Sequence, residues 1–84
     1  MNRDEIFQRV EIIFQDIFDD SSLSIDDSTN SNDIDDWDSL NHINLVSAIE
    51  KEFNIRFALG ELIALKDVGS MIELMIIKIK KLNE

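Results

Sequence analysis

Apolar residues return along the chain with the period of a helix in three stretches. Ile6, Val10, Ile13, Phe14, Ile17 and Phe18 are spaced by threes and fours, and Asn2 with Glu5 fits a capping box ahead of them. Leu45, Val46, Ile49 and Phe53 make a second stripe, on a helix running from near Asp38 to about Asn54 with Asp38 or Ser39 as its cap. Val68, Ile72, Met75, Ile79 and Leu82 repeat in a four-three-four-three rhythm, headed by Asp67 and followed by Lys78, Lys80 and Lys81, charges that complement a helix dipole. Leu59, Leu62, Ile63 and Leu65 are too few for a long element and predict a short helix between Ala58 and Leu65.

Between the first two stripes, Asp19 to Asp38 is a run of Asp, Ser and Asn whose sizeable apolar residues are Leu23, Ile25, Ile34 and Trp37. It reads as a loop of unusual length, held down by Leu23, Ile25 and Ile34. The chain has no Pro and only two Gly, and nothing alternates with period two, so strands are not expected. The pattern predicts an all-α four-helix bundle, three helices long and one short, with a long connection between helices one and two. At 84 residues, 1–84 is read as one domain with one core.

Charge narrows the function. The formal net charge is −10, and residues 1–38 hold twelve acids and two bases while 39–84 hold six of each. Such a chain repels phosphate backbones and anionic lipid, which argues against nucleic acid and membrane surfaces as partners. Cysteine is absent, which removes disulfides, thiolate metal sites and a nucleophilic thiol of the protein's own. The N-terminus carries no apolar signal core, and no unbroken apolar run exceeds the four residues of Leu74 to Ile77. A soluble, cytoplasmic monomer is expected.

Three chemistries fail on spacing. Asp26, Ser28, Asn30 and Asn32 offer oxygens at alternate positions, but a calcium loop begun at Asp26 meets Ser31 where Gly is needed and Trp37 where Glu is needed. No metal site is expected. His42, the only histidine, has no Cys to join it as a ligand and reads as a surface helix residue. Ser39 with His42, three apart on one helix, lacks a third group to orient the ring and an oxyanion hole, so hydrolase chemistry is set aside.

What remains is Asp36-Trp37-Asp38-Ser39-Leu40, a serine where an acidic loop becomes an amphipathic helix. Asp38-Ser39-Leu40, followed by Asn41-His42-Ile43-Asn44-Leu45-Val46-Ser47-Ala48-Ile49-Glu50-Lys51-Glu52-Phe53, resembles the phosphopantetheine attachment region of the acyl carrier proteins. Ile55-Arg56-Phe57 resembles that family's extended segment after helix two, and Val68 with Ile72 the start of its last helix. The resemblance covers about residues 36 to 76; the first helix agrees in pattern and length only.

The resemblance implies a non-catalytic carrier that holds acyl intermediates as thioesters on a 4′-phosphopantetheine arm, taken from coenzyme A and attached to Ser39. Asp38 would help place that serine. A phosphopantetheinyl transferase and acyl-loading, condensing or acyltransferase enzymes would be its partners, meeting it at Trp37, Leu40, Asn41, Ile43 and Asn44. Val46, Ile49, Phe57, Leu62, Leu65 and Met71 would line the space that shelters an acyl chain. An exposed hydroxyl at a helix N-terminus suits this task, because unpaired amides and the positive dipole end favour the phosphodiester anion.

The chain also departs from the family. Asn41 and Asn44 stand where acids are usual, Lys51 replaces another acid, and the short helix carries Leu59, Gly60 and Ile63 where acids are common. A less negative docking face predicts a specialised carrier with a dedicated partner set. Trp37 stands where a small residue is frequent, and either contacts partners or packs under the loop. Leu62 and Met71 are larger than the usual Ala and predict a smaller cavity. Two alternatives stay open: an aminoacyl or peptidyl carrier, and an acidic helical interaction domain whose Ser39 is never modified.

Overall fold

A computed structural model describes residues 1–65 and 67–82, with the backbone alone at 62–64. Its helices are α1 (Arg3–Ile17), α2 (Ser39–Phe53), α3 (Leu59–Ala64) and α4 (Val68–Leu82), and no strand occurs among the described residues. The all-α architecture, the three long helices and one short, and the long first loop agree with the pattern of the sequence.

Each long helix begins on an Asx side chain that takes an orphan amide of the first turn. Asn2 accepts from the Glu5 amide at 2.9 Å, Asp38 from Asn41 at 2.8 Å and Asp67 from Ser70 at 2.8 Å. The end of α2 is closed by Asn54 in the left-handed region, φ 56°, a conformation that a short amide side chain tolerates. The Glu50 carbonyl then takes the amides of both Asn54 and Ile55.

The apolar stripes meet in one core. Ile6, Val10 and Phe14 of α1 pack with Leu45, Val46, Ile49 and Phe53 of α2 and Val68, Met71, Ile72 and Met75 of α4. Here α1 is the central element, in contact with both α2 and α4.

The loop from 19 to 38 is ordered by polar pins as well as by Ile25, which is buried, and Leu23 and Ile34, which are half-buried against the core. From α1, Gln15 Nε2 donates to the Leu23 carbonyl at 2.9 Å, and Glu11 accepts the Ile25 amide at 3.1 Å. From α4, the amides of Val68 and Gly69, orphans of the first turn, donate to the carbonyls of Thr29 and Asp27 at 2.9 Å each. Arg3 reaches Asp27 at 3.1 Å and Glu73 at 3.4 Å, tying loop, α1 and α4 together.

The alternating oxygens that resemble a calcium loop fold back on their own backbone. Asp20 accepts from the amide and hydroxyl of Ser22, Asp26 from those of Ser28, and Asn30 from the Asn32 amide. The hydroxyls of Ser22 and Ser28 hold the Asp20 and Asp26 carboxyls below the ordinary carboxylate range. Among the described residues no three His, Cys, Asp or Glu side chains are grouped to hold a metal. No described helix is long and apolar enough to cross a membrane.

The short α3 is hung on side chains. Glu61 accepts the Ala58 amide at 2.7 Å and the Lys78 ammonium at 2.8 Å, while Glu50 of α2 accepts the Phe57 amide at 2.9 Å. The Lys78 Nζ also lies 5.5 Å from the centre of the Phe57 ring.

Candidate functional site at the start of the second long helix

The loop enters α2 through a tight turn. The Trp37 amide donates to Ile34 at 3.0 Å and the Asp38 amide to the Asp36 carbonyl at 2.9 Å. Asp38 is extended, φ −98° and ψ −174°, so its carboxylate swings back onto the Asn41 amide while its carbonyl accepts the His42 amide at 2.8 Å. Ser39 is the first helical residue and is exposed. Its hydroxyl therefore stands in solvent at the positive end of a fifteen-residue helix, with first-turn amides nearby.

Trp37 is buried, 8% exposed, with its ring edge-on to Phe14 at 5.2 Å and 85°. Of its two expected roles the structure shows packing under the loop, which corrects its place among partner contacts: an indole covered by Phe14 and Phe18 has no free face to offer. His42 needs correcting as well. It is half-buried, and its Nδ1 accepts from Trp37 Nε1 at 3.0 Å, with the two rings stacked at 23°. A lone Trp and a lone His five residues apart were the available signal, and helical periodicity does not register it.

Leu40 and Ile43 are 68% and 58% exposed on the side of α2 away from the core, and Asn44 is exposed beside them. Asn41 is half-buried instead, with its side chain turned back to the loop: Nδ2 donates to the Asp36 carbonyl at 2.8 Å. Leu59, at the head of α3, is 75% exposed.

Of the residues expected around an acyl chain, Val46, Ile49, Phe57 and Met71 lie together in the buried core, and Leu65 packs half-buried against it. The side chains of Leu62 and Ile63 lie outside the described residues. An open concavity of about 510 Å³ sits elsewhere, where Arg3, Asp4 and Phe7 face Asp26, Asp27 and Ser28, and none of the described acyl-site residues lines it.

The residues present fit a phosphopantetheine group. An exposed primary hydroxyl can form the phosphodiester, a helix N-terminus favours its charge, and the absence of Cys leaves no protein thiol to capture a thioester. The comparisons agree. The family model for the phosphopantetheine attachment site matches residues 8–75, most of the chain. Among solved structures, a holo acyl carrier protein from Geobacter metallireducens is 42% identical, with a TM-score of 0.85 over 94% of this chain and 92% of that one. No curated protein matches at a significant level. Sequence, fold and relatives converge: this chain belongs to the acyl carrier protein family, whose members are non-catalytic carriers with a phosphopantetheine prosthetic group.

Proposed function

We propose that Ser39 is the attachment serine and that the chain carries acyl groups as thioesters on a 4′-phosphopantetheine arm, delivering them to biosynthetic enzymes as a cytoplasmic monomer. The observation that carries this reading is the exposed Ser39 at the N-terminus of α2, directly behind the capping carboxylate of Asp38. In the transfer from coenzyme A, the Ser39 oxygen forms a bond to phosphorus, the pyrophosphate bond breaks and the nucleotide bisphosphate leaves. The hydroxyl proton passes to the transferase or to solvent. The first-turn amides of α2 would hold the phosphodiester anion, and Asp38 would act through the helix start that it caps. The attached group supplies a terminal thiol. Leu40, Ile43 and Asn44 border it as a contact surface for enzymes that act on the cargo.

The positions that depart from the family favour a dedicated partner set: Asn41 and Asn44 are uncharged, Lys51 is basic, and Leu59 and Gly60 replace acids. Complete burial of Met71 beside Val46 and Ile49 favours a short or polar cargo, or a long chain kept outside the bundle. The uncharged Asn41 and Asn44 also favour a second reading, an aminoacyl carrier, which loading by an adenylating enzyme in place of an acyl-loading one distinguishes. Coexpression with a broad-specificity phosphopantetheinyl transferase followed by intact mass should show one added arm, lost in Ser39→Ala. A wild-type chain that stays unmodified overturns the proposal.

A further inference from the structure

Ser39 is exposed, yet the turn that delivers it is held from the far side by α2 itself. The Asp36 carbonyl takes two donors, the Asp38 amide at 2.9 Å and Asn41 Nδ2 at 2.8 Å. The backbone amide of the same Asn41 donates to the Asp38 carboxylate at 2.8 Å, and its Oδ1 lies 3.4 Å from Asn44 Nδ2. One residue thus holds both the residue three before Ser39 and the residue immediately before it. The next residue does likewise through His42, whose amide reaches the Asp38 carbonyl and whose ring accepts from Trp37.

The amide group is essential to this latch. A carboxylate of the same shape at position 41 has no hydrogen to donate and would set an anionic oxygen against the Asp36 carbonyl at hydrogen-bond distance. An alanine would leave that carbonyl with the Asp38 amide alone.

We propose that Asn41 is a positioning residue for the modification of Ser39: its side-chain amide locks the Asp36–Asp38 turn onto α2 and so presents the Ser39 hydroxyl to the transferase in one geometry. This rests on the reading of Ser39 as the attachment site. A single exposed hydrogen bond contributes on the order of 1 kcal/mol, so its loss should reduce presentation by about threefold to tenfold.

The sign of one substitution separates the latch from electrostatic docking. Asn41→Asp adds a negative charge beside Ser39 and so speeds modification by a basic enzyme surface if charge attraction governs; it slows modification if the donated hydrogen bond governs. The experiment measures kcat and KM of a broad-specificity transferase with coenzyme A and the apo full-length chain, comparing wild type, Asn41→Asp and Asn41→Ala at low and high salt. Amide hydrogen exchange at Asp38 is followed in parallel. The latch predicts kcat/KM lowered about threefold to tenfold in both variants, still lowered at high salt, with faster exchange at Asp38 and a melting temperature lowered by no more than about 4–8 °C. Modification of Asn41→Asp as fast as wild type or faster, or unchanged exchange at Asp38 in both variants, overturns the latch. Failure of wild type to be modified overturns instead the assignment of Ser39, so the two outcomes are distinguishable.

Discussion

Trp37 Nε1 donates to His42 Nδ1 at 3.0 Å, with the ring centroids 6.1 Å apart and nearly parallel. They are the only tryptophan and the only histidine of the chain. The bond needs Nδ1 as an acceptor. His42→Phe, which keeps a ring to stack but removes that acceptor, should therefore leave a buried indole N–H without its partner and change the fluorescence of Trp37. An emission spectrum of His42→Phe that matches wild type would rule out the coupling. Trp37→Phe, which keeps an edge for Phe14 but loses the donor, should cost about 1–3 kcal/mol in a denaturant melt.

The two glycines should respond to alanine with opposite signs. In α4, a Cβ on Gly69 would sit 3.0 Å from the Asp27 carbonyl oxygen and 3.1 Å from the Asp27 Cβ. That segment cannot easily retreat, since the Gly69 amide bonds the same carbonyl and Arg3 holds the Asp27 side chain. Gly69→Ala should thus lower stability by about 1–3 kcal/mol despite its better helix propensity. In α3, a Cβ on Gly60 meets nothing within 4 Å among the described residues. Gly60→Ala should raise stability by about 0.5–1 kcal/mol. Equal shifts in the two melting curves would contradict the packing of the loop on α4.

Much of this fold is legible in the sequence because its long helices bury one face each. The four-three rhythm from Val68 and the Asx caps at Asn2, Asp38 and Asp67 mark real elements to within a residue or two. The exposed serine at the head of α2 is legible as well, since a loop-to-helix boundary is a local feature. The fastening of the loop is not. Glu11 to Ile25, Gln15 to Leu23 and Gly69 to Asp27 join a side chain or amide to a backbone group far along the chain, and such bonds leave no period. The same holds for Asn41, whose value as a donor depends on where the Asp36 carbonyl points. Trp37 was undecidable from sequence, since an indole serves a core or an interface equally well until its neighbours are known.

Acid should release α3. The Lys78 ammonium, and after it the Ala58 amide, hold the Glu61 carboxyl below its ordinary value of 4.5. A depressed folded-state pKa contributes stability that is present above the unfolded value and is lost as pH falls through the folded one, so this latch should weaken below about pH 4.5. The protection of the Ala58 amide, taken relative to its intrinsic exchange at each pH, should fall in that range and be lost at every pH in Glu61→Ala. Exchange at Ala58 that ignores both changes would show that the carboxylate does not hold the helix.

Salt should tighten the fold. Twelve acids against two bases in residues 1–38 repel one another across α1 and the loop, and the ion pairs Arg3 makes with Asp27 and Glu73 are exposed enough to contribute little against that repulsion. Screening over the roughly 10 Å Debye length of 0.1 M salt relieves more repulsion than attraction. The melting temperature should climb as sodium chloride is raised from millimolar levels. A melt that falls or stays flat would rule out repulsion among these acids as a limit on stability.

The outer face of α2 that follows Ser39 should dock by contact more than by charge. From Ser39 through Ile49, α2 carries no Asp, Glu, Lys or Arg, while Leu40 and Ile43 stand more than half exposed on its outer side. Uncharged faces gain little electrostatic steering, so association depends on burying those two side chains. Leu40→Ala and Ile43→Ala should leave the melting temperature nearly unchanged, as exposed positions do, yet lower kcat/KM for a cognate acyl-loading enzyme by about tenfold each. Housekeeping fatty-acid enzymes, whose recognition of an ordinary carrier leans on acids at the positions of Asn41 and Asn44, should use this chain poorly in a mixed assay. If they acylate it as readily as an ordinary carrier, or if Leu40→Ala is silent with every acylating enzyme, the dedicated docking face is wrong.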